Sequence, residues 1–329
     1  MKVRHLKRFL SIATVLLMLI ATVTGCSQKS DDFPSSNITM IIPYSAGGNA
    51  DTVGRLAAQY LSDELGVQVV CVNKPGSSGE LGAMEIAESK ADGYTIGLVN
   101  SPDFLISDIV NPEFDFDFYE SVDYLASFTK TPFSYYAPEG SDIDTWDKFV
   151  DYCKANPGKV TVGEGGIAHR VLAAAIMDYF DIKFTTVNFA GASDVVAALL
   201  GGHVSAASSG NQQYSNIAAG GCVPIAWGGD TPCADRPDTP MFKDYGLSID
   251  FLSVCNTIVI PKNVPDDVKQ KLLDACIKVA ERPEMKEQIE ATGYTYSPMS
   301  GEELTTTYTE YFETAKEICE KYSDLILAK

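Results

Sequence analysis

The chain has 329 residues, of which 44 are acidic and 25 are lysine or arginine, so its formal net charge at pH 7 is −19. A surface with this excess of acids repels nucleic acid and anionic lipid headgroups, which argues against either as a partner. The length is sufficient for two domains of ordinary size.

The amino-terminal segment has the residue order of an export signal. Residues 2–8 carry four basic side chains, residues 9–23 are mainly apolar, and small residues precede Cys26. The apolar run is about 15 residues, short of the roughly 20 that a membrane-spanning helix needs. We interpret residues 1–25 as a signal peptide and residues 26–37 as a solvated tether. The small residues before Cys26 resemble a lipobox, which implies a lipoprotein anchored at the outer face of the cytoplasmic membrane, on the cell surface or in the periplasm.

The mature chain opens with a predicted buried strand, a glycine-rich turn and a helix. Residues 38–42 are apolar, residues 43–51 read P-Y-S-A-G-G-N-A-D, and apolar side chains then recur at helical spacing as far as Leu65. Such a turn exposes backbone N–H groups at the positive end of a helix dipole, which suits an anion. Two further strands, predicted at 68–72 and 94–99, continue a β-α-β series.

A second strand-and-helix series begins near Trp146. The pattern predicts strands at 159–162, 184–188 and 204–207, and helices at 146–154, 168–180 and 194–200. Further helices are predicted at 265–280, 283–291 and 301–322. Alternation of this kind is typical of an α/β architecture with mainly parallel strands.

Two apolar stretches are long enough to cross between two lobes. Residues 122–136 are the predicted outgoing crossing, and residues 251–260 are predicted to return as one long strand. The carboxyl-terminal helices are then expected to pack on the first lobe. Lobe 1 would comprise residues 38–126 and 256–329, lobe 2 would comprise residues 127–255, and the crossings would form a hinge beside a cleft.

Cysteine and histidine usage argues against metal or hydrolytic chemistry. Seven cysteines follow Cys26, and none has a metal-binding spacing, although Cys222 and Cys233 flank a loop in a way that permits a bridge. The mature chain has only two histidines, His169 and His203, and it lacks the hydrolase elbow and the zinc-binding H-E-x-x-H motif. The sequence therefore predicts no catalytic residue, no metal and no cofactor, and an exported hydrolase is the less favoured alternative.

Five motifs in one order carry a family resemblance. They are the 43–51 turn, N-K-P-G-S-S-G-E-L-G-A at 73–83, A-D-G-Y-T-I at 91–96, G-E-G-G-I-A-H at 163–169 and N-F-A-G-A-S-D-V-V-A-A-L-L-G-G-H-V at 188–204. From residue 38 to the carboxyl terminus the chain resembles the extracytoplasmic receptors of tripartite tricarboxylate transporters, the TctC or Bug family. The resemblance implies a type II periplasmic-binding-protein fold, with two α/β lobes joined by two crossing strands around a ligand cleft. It also implies capture of a small carboxylate (a di- or tricarboxylate, an aromatic acid or an acidic amino acid) for delivery to the membrane permease subunits.

In that family two loops close on the ligand carboxylates, and the resemblance carries them onto residues 44–51 and 189–194. The candidate ligand-binding residues of the first loop are Tyr44, Ser45, Ala46, Gly47, Gly48, Asn49 and Asp51. Those of the second loop are Phe189, Ala190, Gly191, Ala192, Ser193 and Asp194. The middle motif and the strand ends add Asn100, Ser101, Gly165, Gly166, His169 and Ser208.

Several of these assignments have an alternative. Asp51 either caps its helix or contacts an ammonium group on an amino-acid ligand. His169 is either a hydrogen-bonded structural residue or a catalytic base, and Arg170 either pairs with a ligand carboxylate or lies solvated at the surface. A sensor subunit that controls a signalling partner would use the same cleft, so transport and sensing both stay open. A monomer is expected, because a receptor of this kind must open and close.

Overall fold

Two β-sheets with helices packed on them make up the part of the chain that the computed structural model describes, namely residues 33–76, 79–101, 104, 106, 109, 116–189, 191–247, 249 and 252–326. Both sheets belong to one compact unit, residues 34–329. The predicted signal peptide and the lipidation site Cys26 lie outside the described residues. Within the described ranges, no helix combines the length and the apolar composition needed to cross a membrane.

The strands, in chain order, are β1 (Ile38–Ile42), β2 (Val69–Asn73), β3 (Thr95–Ser101), β4 (Val122–Thr129), β5 (Phe133–Pro138), β6 (Thr161–Glu164), β7 (Thr185–Asn188), β8 (Ala206–Gly210), β9 (Cys222–Ala226), β10 (Cys255–Pro261) and β11 (Tyr296–Ser300). The helices are α1 (Asn49–Leu65), α2 (Glu80–Ala87), α3 (Phe118–Ser121), α4 (Trp146–Ala155), α5 (Ile167–Tyr179), α6 (Ala192–Leu200), α7 (Tyr214–Ala219), α8 (Asp266–Ala280), α9 (Pro283–Ala291) and α10 (Gly301–Ile326). Short 3₁₀ turns lie at Asn211–Gln213 and Phe242–Tyr245.

The predicted α/β fold class is confirmed, and each lobe is built on one sheet. The first sheet has the order β11-β4-β10-β3-β1-β2, and the second has the order β7-β6-β8-β5-β9. The sheets are mixed rather than mainly parallel, because β10 runs antiparallel to both β3 and β4, and β5 runs antiparallel to both β8 and β9. The predicted limits of the two lobes, 38–126 with 256–329 and 127–255, stay an interpretation.

Strand direction determines where the cleft lies. In the first sheet, β1, β2 and β3 are parallel, and the strand that leaves this sheet, β4, ends at the same edge as they do. In the second sheet, β6, β7 and β8 are parallel, and β5 enters with Phe133 opposite Gly210, the last residue of β8. The crossings therefore join the carboxyl edges of both sets of parallel strands. Loops that follow these strands must lie beside the hinge, where ligands bind in α/β proteins.

The crossings themselves are short, paired segments rather than one long strand. Thr131 and Val254 form an antiparallel bridge, with N···O distances of 2.9 and 2.8 Å between their backbones. The prediction of a single strand over residues 251–260 is wrong, because β10 begins only at Cys255 and Leu252 closes a turn by donating its N–H to the Ile249 carbonyl.

The carboxyl-terminal helices only partly follow the prediction. Helices α8 and α9 pack on α1 in the first lobe, as expected. Helix α10 also begins there, with Leu304 and Tyr308 buried against Cys255, but its second half packs on α5 of the second lobe. At that end the Asp178 carboxylate accepts hydrogen bonds from Lys321 (2.9 Å) and from the Tyr322 hydroxyl (2.8 Å). Helix α10 therefore contacts both lobes.

Each lobe has its own apolar core, and the cysteines serve it as small hydrophobic residues. In the second lobe, Trp146 and Phe149 stack with ring centroids 5.2 Å apart, beside the buried ring of Tyr135. Cys222 and Cys233 are both buried and unbridged, so the permitted disulfide is absent between these two described residues.

Glycines of the 73–83 motif allow α2 to approach the first loop closely. A methyl group at Gly82 would lie 2.8 Å from the Lys74 carbonyl oxygen and 2.9 Å from the Pro43 Cα atom, both of which are backbone atoms. We predict that Gly82→Ala lowers the free energy of unfolding by about 1–3 kcal/mol, because the backbone must shift to admit the methyl group. Chemical denaturation measures this change. Gly191→Ala is the control, since nothing lies within 4 Å of its methyl position, and equal stability of the two variants would contradict the prediction.

Candidate ligand-binding site

The first loop leaves β1 at the carboxyl edge and starts α1. Ser45, Ala46, Gly47 and Gly48 are exposed, and Gly47 has φ = 80°, a value that favours glycine. Helix α1 begins at Asn49, so the N–H groups of its first residues have no acceptor within the helix. The loop is thus open to an anion that would take up these amides.

Asp51 holds this loop in shape. The residue is only 3% exposed, and its carboxylate accepts hydrogen bonds from the Gly47 N–H (2.8 Å), Arg55 Nε (2.9 Å) and Asn73 Nδ2 (2.8 Å). Burial opposes the charged form, but these donors outweigh it and lower the pKa of Asp51. Both carboxylate oxygens are engaged within the protein, so the structure favours the structural alternative for Asp51 over contact with a ligand ammonium group. The Gly47 amide, one of the candidate anion donors, is likewise engaged.

Asn73 and Tyr44 connect the loop to neighbouring strands. Asn73 ends β2 opposite Ile42, and its Nδ2 also donates to the Tyr44 carbonyl oxygen at 3.0 Å, while its Oδ1 accepts from Arg55 at 2.9 Å. The Tyr44 hydroxyl accepts a hydrogen bond from the Asn100 N–H at 3.0 Å. The half-buried Tyr44 therefore ties the loop to the end of β3. Asn100 contacts the first loop through its backbone N–H, and Ser101 is buried on the opposite face of the strand.

Two glycine-rich loops meet in the second lobe. A methyl group at Gly165 would lie 3.2 Å from the Gly191 carbonyl carbon and 3.4 Å from the Ala192 nitrogen. Phe189 donates its N–H to the Glu164 carbonyl at 2.8 Å, and its ring lies against Gly163. The starts of α5 (after Gly166) and α6 are therefore adjacent. Ala190 lies outside the described residues.

The start of α6 is the more open of these two helix ends. Gly191 has an extended backbone, and nothing lies within 4 Å of its methyl position. The Asp194 and Val195 N–H groups both bond the Gly191 carbonyl, at 3.1 and 3.2 Å. Ala192 and Ser193 are the first two residues of the helix, so their N–H groups have no acceptor within it. The side chains of Ser193 and Asp194 are exposed.

His169 is buried and hydrogen-bonded within the second lobe. Its ring is 6% exposed, lies 3.8 Å from the Phe133 ring centroid, and shares a 2.7 Å hydrogen bond between Nδ1 and the buried Ser208 hydroxyl. Burial lowers the pKa of His169 to about 3, so the ring is neutral at neutral pH. This bond also engages the candidate Ser208. A base buried in this way fits the structural alternative better than the catalytic one.

Glu164 is a buried acid that the candidate list did not contain. It ends β6, it is 1% exposed, and neither carboxylate oxygen has a hydrogen-bond partner among the described residues. The Arg170 Nε atom lies 3.6 Å from Glu164 Oε1, and the Arg170 guanidinium also donates to the Ile326 carbonyl of α10 at 3.3 Å. Burial raises the pKa of Glu164 to about 7, and Arg170 offsets part of that rise. Arg170 thus pairs inside the protein, which differs from both alternatives drawn from the sequence.

The pKa shifts of Glu164 and His169 predict opposite pH dependences of the free energy of unfolding. Glu164 has a folded-state pKa of about 7 against an ordinary 4.5, so its contribution to stability falls as the pH rises from 4.5 to 7. His169 has a folded-state pKa of about 3 against 6.5, so its contribution rises with pH over 3 to 6.5. The two contributions partly cancel in the native chain.

Single substitutions should separate them. Relative to the native chain, Glu164→Gln should gain stability with rising pH, by about 1.4 kcal/mol per pH unit within its window. His169→Asn should show a difference of opposite sign. Urea unfolding at several pH values between 4 and 7.5 measures both differences. Glu320→Gln, at an exposed position on α10, is the control, and differences of the same sign for the two buried sites would contradict the assignment.

Comparison with known proteins agrees with this architecture. The profile of the tripartite tricarboxylate transporter family receptor, TctC, matches residues 53–323. A UPF0065 protein in the gbd 5′ region of Cupriavidus necator is 28% identical over 324 residues, which is 98% of each chain. A solved periplasmic transporter superposes with a TM-score of 0.76 at 25% identity, covering 88% of this chain and 98% of that one. MatC from Rhodopseudomonas palustris, solved with bound malate, gives a TM-score of 0.70 at 18% identity, covering 89% and 100% of the two chains. The chain belongs to the TctC family of tripartite tricarboxylate transporter receptors, the extracytoplasmic solute-binding proteins.

Proposed function

We propose that this receptor binds a small carboxylate without altering it, through backbone amides of the first loop and of the α6 start, and delivers it to the permease of a tripartite transporter. One observation supports this proposal most strongly. In both lobes, a glycine-rich loop follows a parallel strand and leads into a helix, and these loops lie at the sheet edges that the crossings join. MatC binds malate, and this supports a small carboxylate as the ligand class.

The candidate residues take different roles in this proposal. The backbone amides of Ala46, Asn49, Ala192 and Ser193 bind the ligand. Asp51, with Asn73 and Arg55, stabilises the first loop. His169, on α5, bonds Ser208 of β8 and so stabilises the position of that helix on the sheet. A hydrogen bond to a charged group contributes roughly 1.5–3 kcal/mol. Three or four of them, less the cost of closing the lobes, suit a micromolar dissociation constant, about −8 kcal/mol.

The lobes would close because the ligand contacts both of them. A ligand shifts an open-closed equilibrium only by its differential affinity for the two states. Contacts to amides on both sides exist only when the lobes approach, so they supply that difference. Screening a carboxylate panel by thermal shift and then analysing the recovered ligand tests the proposal. A stabilising ligand recovered unchanged supports a receptor, and chemical turnover would overturn it.

We predict that Gly191→Val weakens ligand binding at least tenfold. Its backbone is extended and its methyl position is open, so a larger side chain fits the fold while covering the Ala192 and Ser193 amides. Calorimetric titration measures the loss, and unchanged thermal unfolding shows that the fold is intact. Gly191→Ala should give an intermediate loss, and native affinity in the valine variant would remove α6 from the binding site.

Anchoring at Cys26 is a further part of the proposal, and it rests on the sequence order of basic, apolar and small residues before that cysteine. We predict that the native chain incorporates radiolabelled fatty acid and fractionates with membranes. Cys26→Ser should lose the label and appear in the soluble fraction. Label retained in the Cys26→Ser variant would refute lipidation at this thiol.

A further inference from the structure

A glycine turn of the first lobe touches the second lobe beside the crossings. Gly293 follows α9, and its backbone has φ = 86°, a value that favours glycine. A methyl group at Gly293 would lie 2.9 Å from the Gln212 carbonyl oxygen and 3.5 Å from the Gln212 Cα atom. Gln212 belongs to the 3₁₀ turn that follows β8 in the second lobe. The backbones of the two lobes are therefore in contact at this point.

The 3₁₀ turn that carries Gln212 is held by a set of hydrogen bonds to its neighbour. The Asn211 N–H donates to the Pro132 carbonyl at 3.1 Å, and Asn211 Nδ2 donates to the Gly228 carbonyl at 3.2 Å. The Ser134 hydroxyl donates to Asn211 Oδ1 at 2.5 Å and accepts from the Gly228 N–H at 2.9 Å. The turn is thus attached to the first crossing, to β5 and to the segment after β9, and it resists displacement.

The turn at Gly293 is held as well. Gly293 donates its N–H to the Glu290 carbonyl at 3.0 Å, and the Thr295 carbonyl accepts a hydrogen bond from the Lys130 N–H of the first crossing at 3.2 Å. Tyr294, between them, is buried. Since both sides of the contact are anchored, a methyl group there has to move one lobe relative to the other.

The contact and the first loop lie on opposite sides of the crossings in the first sheet. The sheet order is β11-β4-β10-β3-β1-β2, the Gly293 turn leads into β11, and the first loop follows β1. A rotation about the crossings that brings the first loop toward the second lobe therefore moves Gly293 away from Gln212. Rotation in the opening direction brings the two backbones together.

We propose that the contact between Gly293 and Gln212 is a stop that limits how far the lobes open, and that Gly293 is a positioning residue for ligand capture. This inference goes beyond the proposed function, because it concerns the ligand-free protein and holds for any ligand. Closely packed atoms have no space in which to approach further, so a methyl group at position 293 should move the stop toward the closed arrangement. The apparent affinity of the receptor then rises, because a larger fraction of its molecules is competent to bind.

Gly293→Ala tests the proposal, with Gly140→Ala as the matched control. Gly140 has φ = 80°, so alanine carries a similar backbone cost there, but nothing lies within 4 Å of its methyl position. Small-angle X-ray scattering of the ligand-free proteins should give a smaller radius of gyration for Gly293→Ala than for the control. With malate as the probe ligand, calorimetric titration should show binding about threefold tighter in Gly293→Ala.

Asn211→Ala should have the opposite effect. It removes the side chain that bonds Ser134 and Gly228, so the turn that carries Gln212 yields more easily when the lobes open. The radius of gyration of the ligand-free protein should increase, and malate should bind more weakly. This variant carries the test if Gly293→Ala does not fold.

The outcomes separate this inference from the proposed function. Equal radii of gyration for Gly293→Ala and Gly140→Ala would overturn the stop, and a larger radius for Gly293→Ala would overturn the side of the hinge assigned to it. A radius that does not increase in Asn211→Ala would also count against the stop. A smaller radius in Gly293→Ala without any malate binding would support the stop and remove malate from the proposed ligands, because the scattering comparison requires no ligand.

Discussion

The antiparallel pairing of the two crossing segments, through the backbones of Thr131 and Val254, is the constraint on which the arrangement of the site depends. It fixes β4 and β10 side by side at the point where the chain changes sheets. The parallel strands of both sheets then end at the edges that adjoin this pair. No loop residue has to be placed individually, because the direction of the strands places all of them.

Given that placement, the chemistry of the loops follows from small residues and buried acids. Gly47 and Gly191 have open space at their methyl positions, and acidic side chains lie close to both loops. Asp51 accepts hydrogen bonds from one loop amide and an arginine, whereas neither carboxylate oxygen of Glu164 has a hydrogen-bond partner in the described part of the chain. In the proposed function the ligand therefore meets backbone dipoles, while Arg55 and Arg170 contact groups of the protein itself. A strongly acidic protein can still bind an anion in this way, because the amides act at short range, where the long-range repulsion is a small term.

Local features were readable from the sequence, and features that depend on distant contacts were not. Strand β1 and helix α1 follow from apolar spacing and from Gly66, whose φ of 70° ends the helix. Strand β11 was missed because Tyr296–Ser300 has no apolar alternation and forms by pairing with β4. The role of Asn73 depends on the register that sets it opposite Ile42. The surroundings of Glu164 depend on Arg170 of α5, which also bonds the end of α10. In each missed case the signal lies in another part of the chain.

Helix α10 has a mechanical consequence for the hinge. Its first half rests on the first lobe, where Phe312 stacks on Tyr119 at 4.5 Å, and its last turns are held by the second lobe. Rotation of the lobes must therefore slide this ring stack or flex the helix, and the backbone already departs from helical geometry at Tyr322 (φ = −114°, ψ = 19°). Helix α10 is thus a second connection between the lobes, in addition to the crossings. Any change in the angle between the lobes is therefore coupled to the conformation of α10 around Tyr322.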